Sequence, residues 1–219
     1  MVVNGGSGSS MVPPKKFRVI SYIDGFNLYF GMRSKGWQKY MWLDLSKLSQ
    51  SILVGGQSLQ RTKYFTSRVR GSASKEQRQS AWLDAVATVP NVATYWGHYQ
   101  PDTKTCQKCG HSQQHPQEKK TDVNIATQLL CDAYRDDFDT AIVVSGDADL
   151  VPPILAVREY FPRKRIIVAF PPDRYSRELQ DAAHYVIHIR ESRFRKSRLP
   201  MDIELPSGVK IGCPTKWRY

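Results

Sequence analysis

The sequence is poor in cysteine and in acidic residues, and it has no long apolar run. Four of its 219 residues are cysteine, which does not suit a disulfide framework in a chain of this length. No stretch approaches the roughly 20 apolar residues of a membrane span. The first ten residues, MVVNGGSGSS, lack the basic and apolar regions of a secretory signal. We therefore expect a cytoplasmic protein that does not associate with a membrane.

Acidic residues are outnumbered by basic ones. The chain has 20 Asp and Glu against 32 Lys and Arg, which gives a net charge of +12. An excess of this sign favours a partner that carries phosphates, most commonly nucleic acid, although a merely soluble basic surface would have the same composition. Hydrophobic residues make up 41% of the chain, which is typical of a globular protein and excludes wholesale disorder.

Short apolar runs alternate with amphipathic segments along the chain. The apolar runs predict strands at residues 17–23, 61–70, 92–99, 140–144, 165–170 and 185–189. The amphipathic segments predict two helices within residues 26–54 and further helices at residues 74–89, 122–135, 150–161 and 175–183. Strands that alternate with helices form βαβ units, so we expect an α/β fold with a mostly parallel central sheet and helices on both of its faces.

The same pattern divides the chain into three parts. Residues 1–14 are interpreted as a flexible Gly/Ser arm or a remnant of cloning, and Met11 is a candidate native start. Residues 15–198 carry the alternating elements, with a polar insertion at residues 101–120. The periodicity fades in residues 199–219, which we expect to form a C-terminal tail.

Four aspartates stand where predicted strands end or helices begin. Asp24 follows the first strand, Asp122 opens the helix before the fourth, and the fourth strand is followed by Asp147 and Asp149. In a sheet of order 3-2-1-4-5 the first and fourth strands are neighbours, so their carboxyl ends bring these side chains together. Crowded carboxylates repel one another unless a cation neutralises them, and hard oxygen ligands suit Mg²⁺ or Mn²⁺. The pattern predicts a divalent-metal site that hydrolyses phosphodiesters.

Each of these side chains also has an ordinary structural interpretation. An aspartate at the start of a helix commonly caps the helix or interacts with its dipole, which applies to Asp122, Asp147 and Asp149. Asn27 would cap the helix after the first strand, and Ser145 would stabilise the turn in which it stands. The metal interpretation is favoured because separate segments supply aspartates to the same edge of one sheet.

Three motifs resemble one known family. They are YIDGFNL at residues 22–28, KTDVNIA at residues 120–126 and SGDADL at residues 145–150. Together, in this order and over residues 17–189, they resemble the NYN-domain family, in the LabA-like branch of the PIN-like ribonucleases. The resemblance implies a PIN-like three-layer α/β/α sandwich and a ribonuclease, favoured here as an endonuclease, that depends on a divalent metal.

The resemblance also implies roles for single residues. The positions that match the family's catalytic site are Asp24, Asn27, Asp122, Ser145, Asp147 and Asp149. The four aspartates match the acidic ligands of Mg²⁺ or Mn²⁺, the asparagine matches a conserved polar partner, and the serine matches the small hydroxyl that helps to hold its loop. This intact set favours catalysis over a non-catalytic RNA-binding module on the same fold. A phosphatase of the haloacid dehalogenase type is disfavoured, since it needs Asp-x-Asp after the first strand, where position 26 is Phe.

The polar insertion contains a CxxC pair that is followed by histidines. The candidate ligands of a structural, zinc-knuckle-like Zn²⁺ site are Cys106, Cys109, His111 and His115. His98 or Glu118 could stand in for either histidine. A redox pair and two reduced surface thiols are the alternatives, although a redox motif would open a helix directly after a strand.

Basic and aromatic side chains near strand ends and loops predict where RNA would bind. The basic candidates are Arg33, Arg68, Lys119, Lys120, Arg174 and Arg177. The aromatic candidates for stacking on bases are Phe26, Tyr29, Trp37, Trp96 and Tyr99, although a place in the core is the commoner role of such residues. We expect RNA that is single-stranded or looped, and the oligomeric state stays open, with a homodimer as one option.

Overall fold

A sheet and the helices around it form the centre of the computed structural model. The structure describes the backbone of residues 16–105 and 112–218 and the side chains of residues 16–97 and 120–218, so the predictions for residues 1–14 lie outside the described residues. The strands are β1 Phe17–Asp24, β2 Gln57–Thr66, β3 Val92–Trp96, β4 His98–Thr105, β5 Ser112–Lys119, β6 Thr140–Val144, β7 Arg165–Phe170, β8 Tyr185–His188, β9 Asp202–Glu204 and β10 Lys210–Gly212. The helices are α1 Gly25–Ser34, α2 Leu45–Ile52, α3 Ala73–Ala87, α4 Thr121–Tyr134, α5 Val151–Tyr160, α6 Arg177–Ala182 and α7 Glu191–Lys196, with 3-10 turns at Gln38–Tyr40, Ala148–Leu150 and Thr215–Trp217.

Six parallel strands form the central sheet in the order β3-β2-β1-β6-β7-β8. The direction of winding reverses at β1, which pairs with β2 on one side and with β6 on the other. The predicted α/β class with a parallel central sheet is confirmed, the first five parallel strands have the order 3-2-1-4-5 on which the convergence of the aspartates depends, and β8 adds the last predicted strand at the edge. The carboxyl ends of β1 and β6 therefore lie side by side, where ligands bind in sheets of this kind.

Helices cover both faces of this sheet. In β1, Val19 and Ile23 pack into one apolar cluster with side chains of α1, α2 and α3, whereas Ile20 and Tyr22 pack into a second with side chains of α4, α5 and α6. These layers are those of an α/β/α sandwich. Among the described helices, none combines the length and the apolar character that crossing a bilayer requires.

The second strand lies earlier in the chain than the sequence predicts. Its neighbours set both ends: Gln57 pairs with Phe17 at the start of β1, and Thr66 pairs with Trp96 at the end of β3. Beyond Thr66 neither neighbouring strand continues, so residues 67–70 leave the sheet despite their strand-like composition. The third predicted strand, 92–99, is shorter for the same reason, because β3 pairs with β2 only as far as Trp96.

The C-terminal segment packs against the same helical layer as α1, α2 and α3. Helix α7 and the β9–β10 pair were not predicted. Trp42 anchors the segment: its Nε1 donates to the carbonyl of Pro200 at 2.6 Å, and its own carbonyl accepts from the Leu199 N–H at 3.0 Å. Trp217 is 8% exposed in the same apolar cluster. These contacts join distant parts of the chain, so local periodicity does not reveal them.

The predicted polar insertion contains a β-hairpin. Strands β4 and β5 pair antiparallel along their whole length. Cys106, Cys109 and His111 lie outside the described residues, and His115 stands on β5 without a described side chain. The zinc site therefore stays a prediction.

An ion pair is buried between β2 and α4. The Lys63 Nζ lies 2.7 Å from the Asp132 Oδ2, and both side chains are 2% exposed. Lys63 also donates to the Gln128 Oε1 at 2.7 Å, and the Tyr22 hydroxyl donates to Asp132. Burial and the charge of Asp132 raise the pKa of Tyr22, so this hydroxyl keeps its proton and remains a donor. The network fixes α4 against the sheet.

We expect Lys63→Met to lower the free energy of unfolding by about 3–5 kcal/mol, because it leaves the Asp132 carboxylate buried without its cation. Urea unfolding at pH 7 measures the change. The exposed pair of Lys35 and Asp173, whose charged atoms are 2.6 Å apart, supplies the control, and Lys35→Met should change the free energy of unfolding little. Equal losses in the two variants would show that the buried pair has no special part in holding α4.

Candidate metal centre

The carboxylate of Asp24 lies at the middle of the candidate site. Asp24 ends β1 and is 2% exposed. Its Oδ1 accepts from the backbone N–H groups of Phe26 and Asn27, both at 3.0 Å, and so caps α1. Its Oδ2 accepts from the Asn27 amide at 2.6 Å and from the Ser145 hydroxyl at 2.9 Å. The interpretation of Asn27 as the cap of α1 is therefore wrong, since Asp24 caps the helix and the Asn27 side chain holds Asp24.

Asn27 and Ser145 connect the loop after β6 to this carboxylate. The Ser145 hydroxyl, which is fully buried, donates to Asp24 and accepts from the Asp147 N–H at 3.1 Å. The Asn27 Oδ1 accepts from the Gly146 N–H at 3.3 Å. Because the amide nitrogen of Asn27 binds Asp24 while its oxygen binds the loop, the loop that carries Asp147 is held beside the end of β1.

Asp122 and Asp147 form a group of three carboxylates with Asp24. One oxygen atom of each residue lies within 4.8 Å of the corresponding atoms of the other two. Asp122 stands in the first turn of α4, and Asp147 caps the 3-10 turn after β6 by accepting from the Asp149 N–H at 3.0 Å. Asp24 is buried whereas Asp122 and Asp147 are half-buried, so the group is open to solvent on the side of these two residues.

Asp149 stands at the rim of this group. It is exposed, and it is not among the three residues whose oxygen atoms lie within 4.8 Å of one another. Its charge nevertheless acts on the group, because it contributes to the raised pKa of Asp122. Its role as a direct metal ligand remains a prediction.

The carboxylates of the group disfavour one another's ionisation. The pKa of Asp122 is raised to about 6, first by burial and then by the charges of Asp24, Asp147 and Asp149. Burial also raises the pKa of Asp24, although the hydrogen bonds that Asp24 accepts oppose the shift. A cation bound between these side chains would remove the repulsion and favour their ionised forms.

The chemistry of the donor set fits a hard divalent cation. Among the residues that the structure describes, the group consists of three carboxylates and includes neither histidine nor cysteine, and such a set suits Mg²⁺ or Mn²⁺ better than Zn²⁺. Within the part of the chain that the structure describes, none of the three forms an ion pair with Lys, Arg or His. Their negative charge is therefore left for an ion to neutralise.

Two glycines that the sequence did not mark as site residues allow the chain to approach closely here. A Cβ on Gly25 would lie 2.5 Å from the Tyr64 Oη and 2.6 Å from the Phe65 carbonyl oxygen. A Cβ on Gly146 would lie 2.9 Å from the Arg174 Cβ. Each glycine is adjacent in sequence to an aspartate of the group, which is the signal that could have identified it.

Two of the predicted RNA-binding residues stand next to elements of the acidic group. Arg174 contacts the loop at Gly146, and its guanidinium carbon lies 6.0 Å from the centre of the Phe30 ring. The Arg174 Nε is buried without a hydrogen-bond partner among the described residues. Lys120 is exposed and immediately precedes α4, which carries Asp122. The binding of phosphate by these two cations remains a prediction.

The other predicted basic residues stand on four separate segments of the chain. Arg68 follows β2, and its guanidinium lies 4.5 Å from the centre of the Trp96 ring. Arg33 is exposed near the end of α1, and Arg177 begins α6, where it pairs with a neighbouring aspartate at 3.5 Å. Lys119 ends β5, and its side chain lies outside the described part of the structure.

The aromatic candidates for base stacking separate into two groups. Trp37 packs at the apolar core against Phe194, with ring centres 5.6 Å apart, which favours a structural role. Phe26 and Tyr29 lie on α1, directly after Asp24, and border a pocket. The side chain of Tyr99 is not among those described.

Comparisons with known proteins agree with this architecture. The family model of the NYN domain matches residues 18–190 of the chain. A curated relative, 6-hydroxy-3-succinoylpyridine 3-monooxygenase HspA from Pseudomonas putida, is 27% identical over a gapped alignment of 237 residues, which covers 90% of this chain and 74% of the relative. A solved structure of a Vibrio parahaemolyticus protein of unknown function superimposes with a TM-score of 0.56 at 18% identity, over 86% of this chain and 100% of that one. At this identity the solved structure shows a shared fold alone.

We expect Asp122→Asn to stabilise the metal-free protein at pH 7.5. The folded-state pKa of about 6 lies above the ordinary value of 3.8, so the folded protein holds this proton more tightly than the unfolded chain. Ionisation of Asp122 therefore lowers the free energy of unfolding as the pH rises through about 6. This loss disappears as the pH falls toward about 4. The gain should be about 1 kcal/mol, allowing for solvent screening of a half-buried group.

Urea unfolding in a chelating buffer, at pH 7.5 and at pH 4, measures this effect. Asp84→Asn is the matched control, because Asp84 is exposed on α3, and it should change little at either pH. Mn²⁺ should raise the melting temperature of the wild type and have less effect on Asp122→Asn. A loss of stability in Asp122→Asn at pH 7.5 without metal would contradict the repulsion between these carboxylates.

Proposed function

This chain belongs to the NYN domain family, and we propose on that basis that it is a divalent-metal-dependent ribonuclease that hydrolyses phosphodiester bonds within RNA chains. The observation that carries the proposal is the convergence of Asp24, Asp122 and Asp147, whose oxygen atoms lie within 4.8 Å of one another at the carboxyl end of the sheet. NYN domains are generally nucleases that act on RNA. Membership of the LabA-like branch, a cytoplasmic location and endonucleolytic action belong to the same proposal.

The proposed catalytic residues have two roles: some hold a cation, and the others orient the residues that hold it. A divalent cation held by Asp24, Asp122 and Asp147 would supply an activated water and stabilise the leaving oxygen of the phosphodiester. Asn27 and Ser145 fix the Asp24 carboxylate by hydrogen bonds of 2.6 and 2.9 Å, so it needs no reorganisation during the reaction. Asp149 is proposed as an outer acidic group that favours cation binding.

Basic side chains are proposed to hold the RNA backbone over this site. Arg174 and Lys120 flank the loop after β6 and the start of α4, and each would contact a phosphate next to the one that is cleaved. Arg33, Arg68, Lys119 and Arg177 extend the same basic surround. Single-stranded or looped RNA is the favoured substrate, because its backbone can bend into a site at a sheet edge and its bases are free to stack.

Two other functions are distinguishable from this proposal. A non-catalytic RNA-binding module would not benefit from three unpaired carboxylates facing a polyanion. The relative from Pseudomonas putida has a monooxygenase name, which denotes a different class of reaction. Three clustered carboxylates, with neither histidine nor cysteine beside them in the described part of the chain, favour hydrolysis at a redox-inert cation.

We expect Asp147→Asn to lower Mn²⁺- or Mg²⁺-dependent RNA cleavage by at least about 100-fold, because it removes one ligand of the cation. Labelled RNA and DNA of several sequences are incubated with the protein, with and without Mn²⁺, and the products are resolved by length. Asp84→Asn is the control and should retain full activity. Thermal unfolding should show that both variants remain folded.

The outcome separates the three functions. A wild-type protein that binds RNA but neither binds a divalent cation nor cleaves any RNA would be a binding module. Consumption of 6-hydroxy-3-succinoylpyridine by the wild type, with all RNA intact, would favour the chemistry that names the Pseudomonas relative. Full RNA cleavage by Asp147→Asn would show that the carboxylate group is not the catalytic site.

The zinc site at Cys106, Cys109, His111 and His115 is proposed separately. We expect about one zinc ion per wild-type chain by elemental analysis, because four sulfur and nitrogen donors complete a structural site. Cys106→Ser should lose the zinc, whereas Cys131→Ser, on α4, should retain it. A wild-type protein without zinc would end this proposal and leave the ribonuclease proposal untouched.

A further inference from the structure

A pocket of about 350 Å³ opens beside the candidate metal centre. Its floor, with Leu28 and Leu43, belongs to the apolar cluster of α1, α2 and α3, whereas α4 with Asp122 covers the opposite face of the sheet. Gly25 and Phe26 directly follow Asp24 and form part of the pocket wall. The pocket and the carboxylate group therefore share the end of β1.

The rim of the pocket is positively charged. The basic residues that line it are Arg33, Arg70, Lys75, Arg78 and Lys216, and no acidic residue is among its described lining. None of these five cations takes part in an ion pair within the described ranges of the chain. Five uncompensated cations around one opening favour an anionic ligand, and a phosphate is the anion that Lys and Arg bind most commonly.

The interior of the pocket is aromatic. The rings that line it belong to Phe26, Tyr29, Phe30, Tyr64, Trp82 and Trp217. Tyr29 and Phe30 are 36% and 41% exposed, so a ligand in the pocket can reach both rings. Aromatic faces of this kind bind planar bases by stacking. A volume of about 350 Å³ lies within the range of small-ligand sites.

Arg174 joins the pocket to the metal centre. Its guanidinium lies 6.0 Å from the Phe30 ring, and its Cβ contacts the loop at Gly146. Its buried Nε has no hydrogen-bond partner among the described residues. A nucleic-acid strand that entered the pocket with one base would thus pass the Arg174 side chain on its way to Asp147.

We propose that this pocket binds one nucleotide of the RNA substrate, with the base against the aromatic interior and the phosphate at the basic rim. The pocket would seat the nucleotide next to the scissile phosphate and so align the strand over the carboxylates. The coupling to cleavage rests on the proposed ribonuclease function, whereas the binding of a nucleotide does not.

The test uses two matched pairs of variants in the full chain. Val69→Trp fills the pocket, because Val69 lines it from the loop after β2. The backbone N–H of this residue donates to the Gln79 side chain, and a substitution of the side chain retains that donor. Val54→Trp is its control, because Val54 is 58% exposed between α2 and β2. Arg78→Ala removes a rim cation, and Arg163→Ala removes an exposed cation before β7.

Calorimetry without divalent cations measures the binding of each ribonucleoside 5′-monophosphate, of ribose 5-phosphate, which lacks the base, and of nicotinate, which is a planar aromatic anion without a phosphate. We expect at least one nucleotide to bind about tenfold tighter than ribose 5-phosphate, because the base adds a stacking surface that the sugar phosphate lacks. Val69→Trp should abolish this difference, and Val54→Trp should keep it. Arg78→Ala should reduce the salt dependence of binding to single-stranded RNA by a slope of about 0.7, unlike Arg163→Ala.

Cleavage kinetics then report on the coupling. Val69→Trp should raise the KM for RNA about tenfold with little change in kcat, because it removes binding common to the ground and transition states. The pocket assignment would be overturned if Val69→Trp and Val54→Trp bound the nucleotide with the same affinity. It would also be overturned if the wild type bound nicotinate more tightly than every nucleotide. If Val69→Trp does not fold, the test depends on Arg78→Ala. The pocket assignment would then be overturned if Arg78→Ala and Arg163→Ala showed the same salt dependence of binding to single-stranded RNA.

The two proposals fail in different ways. A wild type that binds a nucleotide in the pocket but cleaves no RNA supports the pocket and overturns the ribonuclease. A wild type that cleaves RNA, with Val69→Trp and Arg78→Ala as active as their controls at limiting RNA, overturns the pocket and leaves the ribonuclease in place.

Discussion

The hydrogen bonding of one buried carboxylate, that of Asp24, determines how the candidate site is assembled. A carboxylate removed from water costs several kcal/mol unless hydrogen bonds or opposite charge compensate it. Here the compensation comes from four donors on two segments: two backbone N–H groups and the Asn27 amide at the start of α1, and the Ser145 hydroxyl after β6. The requirement to satisfy one side chain therefore fixes the start of α1 and the loop of Asp147 relative to β1.

The third carboxylate depends on a different constraint. Asp122 is carried by α4, and its repulsion from Asp24 and Asp147, which contributes to its raised pKa, tends to push the start of this helix away from the sheet. The buried pair of Lys63 and Asp132 acts on the same helix from its other end. Because the pair is shielded from water and has further hydrogen bonds, it resists displacement more than a surface pair would. The buried ion pair therefore holds α4 against the sheet, while the carboxylates at the start of this helix repel one another.

Much of this arrangement can be predicted from the sequence. The rest cannot, because it depends on contacts between residues that are far apart in the chain. The composition of the buried strands predicts their positions. The aspartates after β1 and β6 are predicted to lie close together because parallel strands end at one edge of the sheet. Lys63 is different, since it lies in a run that resembles an ordinary amphipathic strand and its partner stands 69 positions away. The basic rim of the pocket is equally hidden: Lys75 and Lys216 come from α3 and from the C-terminal segment, and only the fold brings them together.

The net charge of +12 is distributed so that opposite charges near the site do not cancel. Elsewhere acids and bases pair directly, as Arg18 does with Asp139 at 2.8 Å and Lys164 with Asp136 at 2.7 Å. In the described part of the chain, the three clustered aspartates and the cations of the neighbouring pocket form no such pairs. If they did, the site would attract neither a divalent cation nor a phosphate. Because α4 with Asp122 and the pocket lie on opposite faces of the sheet and meet at the end of β1, these charges stay apart, and the proposed function would use them to bind a metal ion and a polyanion at one end of the molecule.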